Sequence, residues 1–173
     1  MAMRRPEASE YAPFYAGYVK LVEGDDVLRA LESQIAESLA LLRGVTEEAT
    51  FARYAPGKWS VREVVGHVID GERIFAYRAL RFARADKTPL PGFEENDYVP
   101  AARFERRRWP DLLEEWEAVR RATVLLFRGF DEEAWTRVGT ASGKEMSVRA
   151  LAFAIAGHER HHMGVLRTRY LVG

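Results

Sequence analysis

Apolar residues recur at three- and four-residue intervals in four long stretches of the chain. In the first, Val27, Leu28, Leu31, Ile35, Leu39 and Leu42 share one face of a helix that runs from about residue 26 to about residue 44. Asp25 stands before it as an N-cap, and Gly44 suits a position just past its end. The second stretch runs from Val61 to about Arg84 and opens on Ser60-Val61-Arg62-Glu63. That is a capping box: the serine oxygen accepts from the third helical N–H, and the glutamate reaches back to the serine N–H. The third starts near Pro110, carries Leu112, Leu113, Trp116, Val119, Val124, Leu125 and Phe127, and stops at Gly129. Proline suits the first turn of such a helix. The fourth is capped by Ser147 and runs from Val148 to about Tyr170.

The segments between these helices lack that period. Residues 1–24 hold Pro6, Pro13, Gly17 and Gly24 and read as an extended N-terminal arm. Residues 46–49 suggest one helical turn, and residues 130–135 a short capped turn. Residues 85–103, with Pro89, Pro91, Gly92 and Pro100, read as a long loop. Residues 136–146 suggest an irregular hairpin-like link. No run alternates as a strand with conviction. The expected fold is all-α: a four-helix bundle with long loops between helices, one domain over residues 1–173.

Composition narrows the chemistry. The chain has 173 residues, 26 basic and 26 acidic side chains, four histidines and no cysteine. Without cysteine there is no disulfide scaffold, thiolate nucleophile or iron–sulfur cluster, so a metal must be held by histidine, carboxylates and water. Zero net charge lacks the basic footprint of a general nucleic-acid binder. No apolar run approaches the ~18 residues of a membrane span, and the first residues lack the apolar core of a signal peptide. A cytoplasmic protein with no nucleic-acid or membrane partner is expected.

Three of the four histidines lie in Gly157-His158-Glu159-Arg160-His161-His162-Met163. At about 100° per residue, the apolar face of the last helix centres about 45° from His158, with His162 at about 40° and His161 at about −60°. His158 and His162 therefore face the core one turn apart, a spacing that lets two imidazoles meet one metal. His161 falls at the rim. On the second helix His67 sits on the shoulder of the apolar face, and Gly71 leaves space beside it. Glu63 and Asp70 flank His67 and are placed to orient its imidazole.

The run His158-Glu159-Arg160-His161-His162 also satisfies H-E-x-x-H, in which a glutamate serves as general base to a zinc-bound water. The metalloprotease reading fails because Val165 and Thr168 stand where the longer motif needs glycine and histidine. No acidic residue follows His162 to supply a third ligand. The third ligand must come from upstream, where His67 is the one remaining histidine. Glu159 is retained as the candidate catalytic residue.

The bundle, the Trp59-Ser60-x-x-Glu63-x-x-x-His67 start of its second helix and the His158-Glu159-x-His161-His162-x-Gly164 run of its last resemble the DinB/YfiT-like superfamily over about residues 25–170. One departure is Val165, where many relatives carry glutamine. The resemblance implies a divalent metal, nickel or zinc, held by His67, His158 and His162. Around those ligands Glu63 and Asp70 are expected to bond to an imidazole, and Trp59 and His161 to line the pocket. It further implies a transferase that activates a low-molecular-weight thiol, such as bacillithiol, mycothiol or glutathione, for attack on an electrophile. The alternatives are a hydrolase with a metal-activated water and a non-catalytic metal-binding bundle. A homodimer is also implied.

Overall fold

The computed structural model describes residues 4–171. Four long helices form the bundle: α2 (Val27–Arg43), α3 (Val61–Ala83), α5 (Trp109–Arg128) and α7 (Val148–Val165). Three short ones accompany them: α1 (Ala16–Leu21), α4 (Glu95–Ala102) and α6 (Glu132–Thr136). The last helix continues as a π-helical turn over Leu166–Tyr170. One antiparallel hairpin, β1 (Val138–Ala141) with β2 (Lys144–Ser147), pairs Val138 with Ser147 and Ala141 with Lys144. The all-α bundle expectation holds. Among the described residues no helix is long and apolar enough to cross a membrane.

The caps set where the helices begin. The Ser60 hydroxyl accepts from the Glu63 N–H, and the Glu63 carboxylate accepts from the Ser60 N–H at 2.6 Å. Ser147 Oγ accepts from the Ala150 N–H at 3.1 Å and starts α7. The N-cap of α2 is Asp26, one residue beyond the expected Asp25; its Oδ1 accepts from the Arg29 N–H. Gly44 ends α2 in right-handed conformation, so its freedom at positive φ is not used there.

Two expectations are corrected. The N-terminal arm is not extended over its described part. Residues 13–21 are helical, and α1 packs against α7. The reason is tertiary. A Cβ at Gly157 would land on the Tyr18 carbonyl oxygen, so only glycine allows the two backbones to approach this closely. Arg5 donates to the Val19 and Gly24 carbonyls, and Glu10 pairs with Arg149 of α7 at 2.7 Å. Residues 1–3 of the arm lie outside the described residues.

The segment 85–103 is likewise not a plain loop. It contains α4, which Glu94 caps by accepting from the Asn96 N–H, and which ends at Arg103 in left-handed conformation. Leu90 also pairs with the hairpin, its N–H donating to the Thr140 carbonyl at 2.9 Å.

Two apolar clusters fill the bundle. One gathers Leu31, Phe75, Val124, Leu151 and Ile155, and the other Leu39, Ile69, Trp116 and Met163. In each long helix a buried polar residue stands between them: Gln34, Glu72, Arg120 and Glu159. Arg120 grips Glu72 with two N–H···O bonds of 2.8 and 2.9 Å and reaches Glu159 at 2.8 Å. Ser38 Oγ donates to Glu159 at 2.7 Å, and Gln34 Nε2 donates to it at 3.3 Å. Burial works against the Arg120 charge, and the two carboxylates outweigh it and hold it protonated.

Candidate metal centre

The histidine cluster forms where α3 and α7 pack together. His67 leaves α3 two turns after the Ser60 cap, while His158 and His162 leave α7 one turn apart. Their Nε2 atoms converge. His67 to His158 is 2.9 Å, His162 to His158 is 3.0 Å, and candidate ligand atoms of all three lie within 4.8 Å of one another. Two nitrogens bound at about 2.1 Å to one ion lie about 3.0–3.4 Å apart for bond angles of about 90–109°. The spacing fits a shared cation.

The electrostatics agree. Burial lowers His67 to about 4 and His162 to about 3, with the neighbouring histidines adding to the effect. His158 is likewise held well below the ordinary imidazole value, by burial first and then by the neighbouring histidines. The imidazoles are thus held neutral, the form that ligates metal. Three neutral rings with nitrogens turned to one point offer lone pairs and at most a few protons. Among the described residues no carboxylate joins the cluster. That donor set suits a cation.

Gly71 lies one turn beyond His67. A Cβ there would stand 3.1 Å from His158 Cε1, so glycine leaves the His158 ring its place. Tyr18 of α1 meets His158 edge-on with ring centres 5.4 Å apart. Trp59 lies over His67 at 4.8 Å. These groups floor a cavity of about 520 Å³ that runs from the histidines along α3, past Phe75, to Arg78.

The other expected site residues are placed as follows. His161 is exposed at the cavity rim, its ring 5.6 Å from Tyr18 and 4.9 Å from His162. Trp59 lines the cavity. Glu63 is corrected: its carboxylate serves the Ser60 N–H and an ion pair with Arg53 at 2.6 Å, and makes no bond to His67. Asp70 is corrected too. It lies beside Arg73, Tyr98 and Ala101, along a shallow surface separate from the cavity, and makes no bond to an imidazole. Glu159 is corrected most. It is 1% exposed and is bound to Arg120, Ser38 and Gln34 in the core between the helices. Its rotation from His158 carries it away from the cavity.

Tyr18, Arg78, Ser142 and Lys144 also line the cavity, and reading the sequence did not find them. Gly157 was the available signal for Tyr18, because a glycine inside a helix marks a close approach. Arg78 had a signal as well. It lies on the same helical stripe as His67, Gly71 and Phe75, at steps of four, four and three residues.

The fold and the cluster define a four-helix-bundle protein with a three-histidine candidate metal centre. The family model described as the DinB superfamily matches residues 30–166, and the chain belongs to that superfamily. An Oceanobacillus iheyensis protein named "Putative metal-dependent hydrolase" is 24% identical over 152 residues, 81% of each chain. Two solved structures share the fold. YfiT from Bacillus subtilis, described as "a probable metal-dependent hydrolase with an unusual four-helix bundle topology", matches with a TM-score of 0.66 at 14% identity. The match covers 94% of this chain and 89% of YfiT. A mycothiol-dependent maleylpyruvate isomerase matches with a TM-score of 0.67 at 14% identity, over 84% of this chain and 61% of its own.

Proposed function

We infer that the protein is a divalent-metal-dependent transferase that brings a low-molecular-weight thiol to the His67–His158–His162 centre and directs it at an electrophilic substrate. The observation that carries this reading is the convergence of three neutral imidazoles, two buried and His162 half-buried, on the floor of a cavity large enough for a second molecule. A divalent cation held there supplies a Lewis acid that lowers the pKa of a thiol or water reaching it.

The residues do the rest. His67, His158 and His162 hold and orient the cation, and an all-imidazole set suits nickel and zinc alike. Trp59, Tyr18 and Phe75 wall the cluster with rings and limit the water that reaches it. The chain has no cysteine, so a sulfur nucleophile arrives as a cosubstrate. With Glu159 turned into the core, the glutamate of the H-E-x-x-H run is not there to take a proton from water beside the cluster. A thiol needs that help less than water does, because its own pKa is far lower. The mycothiol dependence of one structural neighbour supports the same choice.

Hydrolysis is the second reading, and one observation favours it. His161 stands exposed at the rim beside His162, placed to accept a proton from an attacking water. Monochlorobimane offered with bacillithiol, mycothiol and glutathione decides between the two, run beside a panel of p-nitrophenyl esters. The transferase reading expects metal-dependent consumption of at least one thiol, lost in His162→Ala. Metal-dependent ester cleavage without thiol consumption establishes the hydrolase in its place.

A further inference from the structure

Three arginines of the described chain are almost fully buried. Two of them have carboxylate partners: Arg62 pairs with Glu47, and Arg120 with Glu72 and Glu159. The third, Arg78, is 3% exposed, and among the described residues no carboxylate lies within ion-pair distance of it. Its Nη2 donates to two neutral acceptors, the Pro91 carbonyl at 3.1 Å and Ser142 Oγ at 3.0 Å. The rings of Phe75 and Phe93 flank the guanidinium, each 5.9 Å from its carbon.

A desolvated cation without a counterion is costly. Arg78 also lines the cavity that the histidine cluster floors, so a counterion can reach it from there. Lys144, an exposed cation on β2, lines the same cavity, as does the half-buried Glu95 on α4. His67 and Arg78 lie eleven residues apart on α3, which separates their Cα atoms by about 16 Å along the helix. The wall between them is Gly71 and Phe75.

We propose that Arg78 is the anion-binding end of this cavity, and that the ligand is an amphiphilic organic acid. Its carboxylate docks on the planar guanidinium, whose fork matches a carboxylate. Its apolar or aromatic body lies along Phe75 and Phe93. Its other end reaches the histidines. That last clause rests on the function proposed above; the anion site does not.

The test uses protein freed of metal by chelator, so that no bound cation can hold the carboxylate. Calorimetric titration compares 4-phenylbutyrate with its neutral amide. The wild type is expected to bind the acid at least tenfold more tightly than the amide. Arg78→Met is expected to erase that preference by weakening the acid alone, Arg78→Lys to keep part of it, and Lys144→Met to keep most of it. Equal affinity for acid and amide in the wild type overturns the proposal. So does no measurable binding of the acid, or a preference that survives in Arg78→Met. If Arg78→Met fails to fold by near-ultraviolet circular dichroism, the wild-type comparison and Arg78→Lys still decide. Metal content is measured separately on untreated protein. A chain that takes up no metal yet prefers the acid sinks the proposed enzyme and leaves the anion site standing. A chain that binds metal without that preference does the reverse.

Discussion

Glu159 follows a candidate metal ligand directly in sequence, yet one helical step of about 100° takes it from the cavity wall into the core. The H-E-x-x-H pattern located the two histidines, and it misled about the glutamate. The motif alone makes Glu159 a candidate base. What buries it is Arg120, 39 positions upstream, together with Ser38 and Gln34 on another helix. Partners that distant leave no local signal. Glu159→Gln is therefore expected to keep bound metal and turnover while costing about 1–3 kcal/mol of stability, read by urea denaturation. Loss of metal at unchanged stability would count against this placement. The histidines themselves predict a pH dependence in metal-free protein. Their folded pKa values are lowered, so the unfolded chain takes up protons first as pH falls. The stability is whole above the ordinary histidine value of about 6.5 and declines as pH drops toward about 4 and 3. A urea midpoint that stays flat across that window would contradict it.

At the scale of elements, the four long helices were legible because each carries its own cap and apolar stripe. The short ones were not. α4 has a proline, Pro100, inside it, and one buried apolar residue, Val99, so it shows no period of its own. α1 is six residues long and is held by Gly157 of α7 and by Arg5. Gly157→Ala is expected to push α1 away at a cost of about 1–3 kcal/mol and to expose the arm to limited proteolysis. Unchanged melting and protease resistance would show that α1 is not seated there. The layer of Gln34, Glu72, Arg120 and Glu159 joins all four long helices at the level of His158. Each of its charges is buried and paired, so removing one partner leaves the others uncompensated. Arg120→Met strands two buried carboxylates, and a loss of about 3–5 kcal/mol is expected in the same denaturation measurement. A near-neutral substitution would show that the layer contributes little.

For the whole molecule, the bundle brings together side chains 91 residues apart, His67 and His158, on helices that pack against each other. In the sequence this pairing was legible from the lack of any other ligand and from the family resemblance. The cavity above it came from the fold, since its walls are drawn from α1, α3, α7 and the hairpin. A cation that binds the folded chain alone adds stability by mass action, about 2.7 kcal/mol at a hundredfold excess over its dissociation constant. The most direct test is elemental analysis of untagged protein, beside His162→Ala and His161→Ala. The account predicts one divalent ion per chain in the wild type and in His161→Ala, and none in His162→Ala. A wild type that holds no metal and takes up neither zinc nor nickel would contradict it, as would metal lost from His161→Ala and kept in His162→Ala.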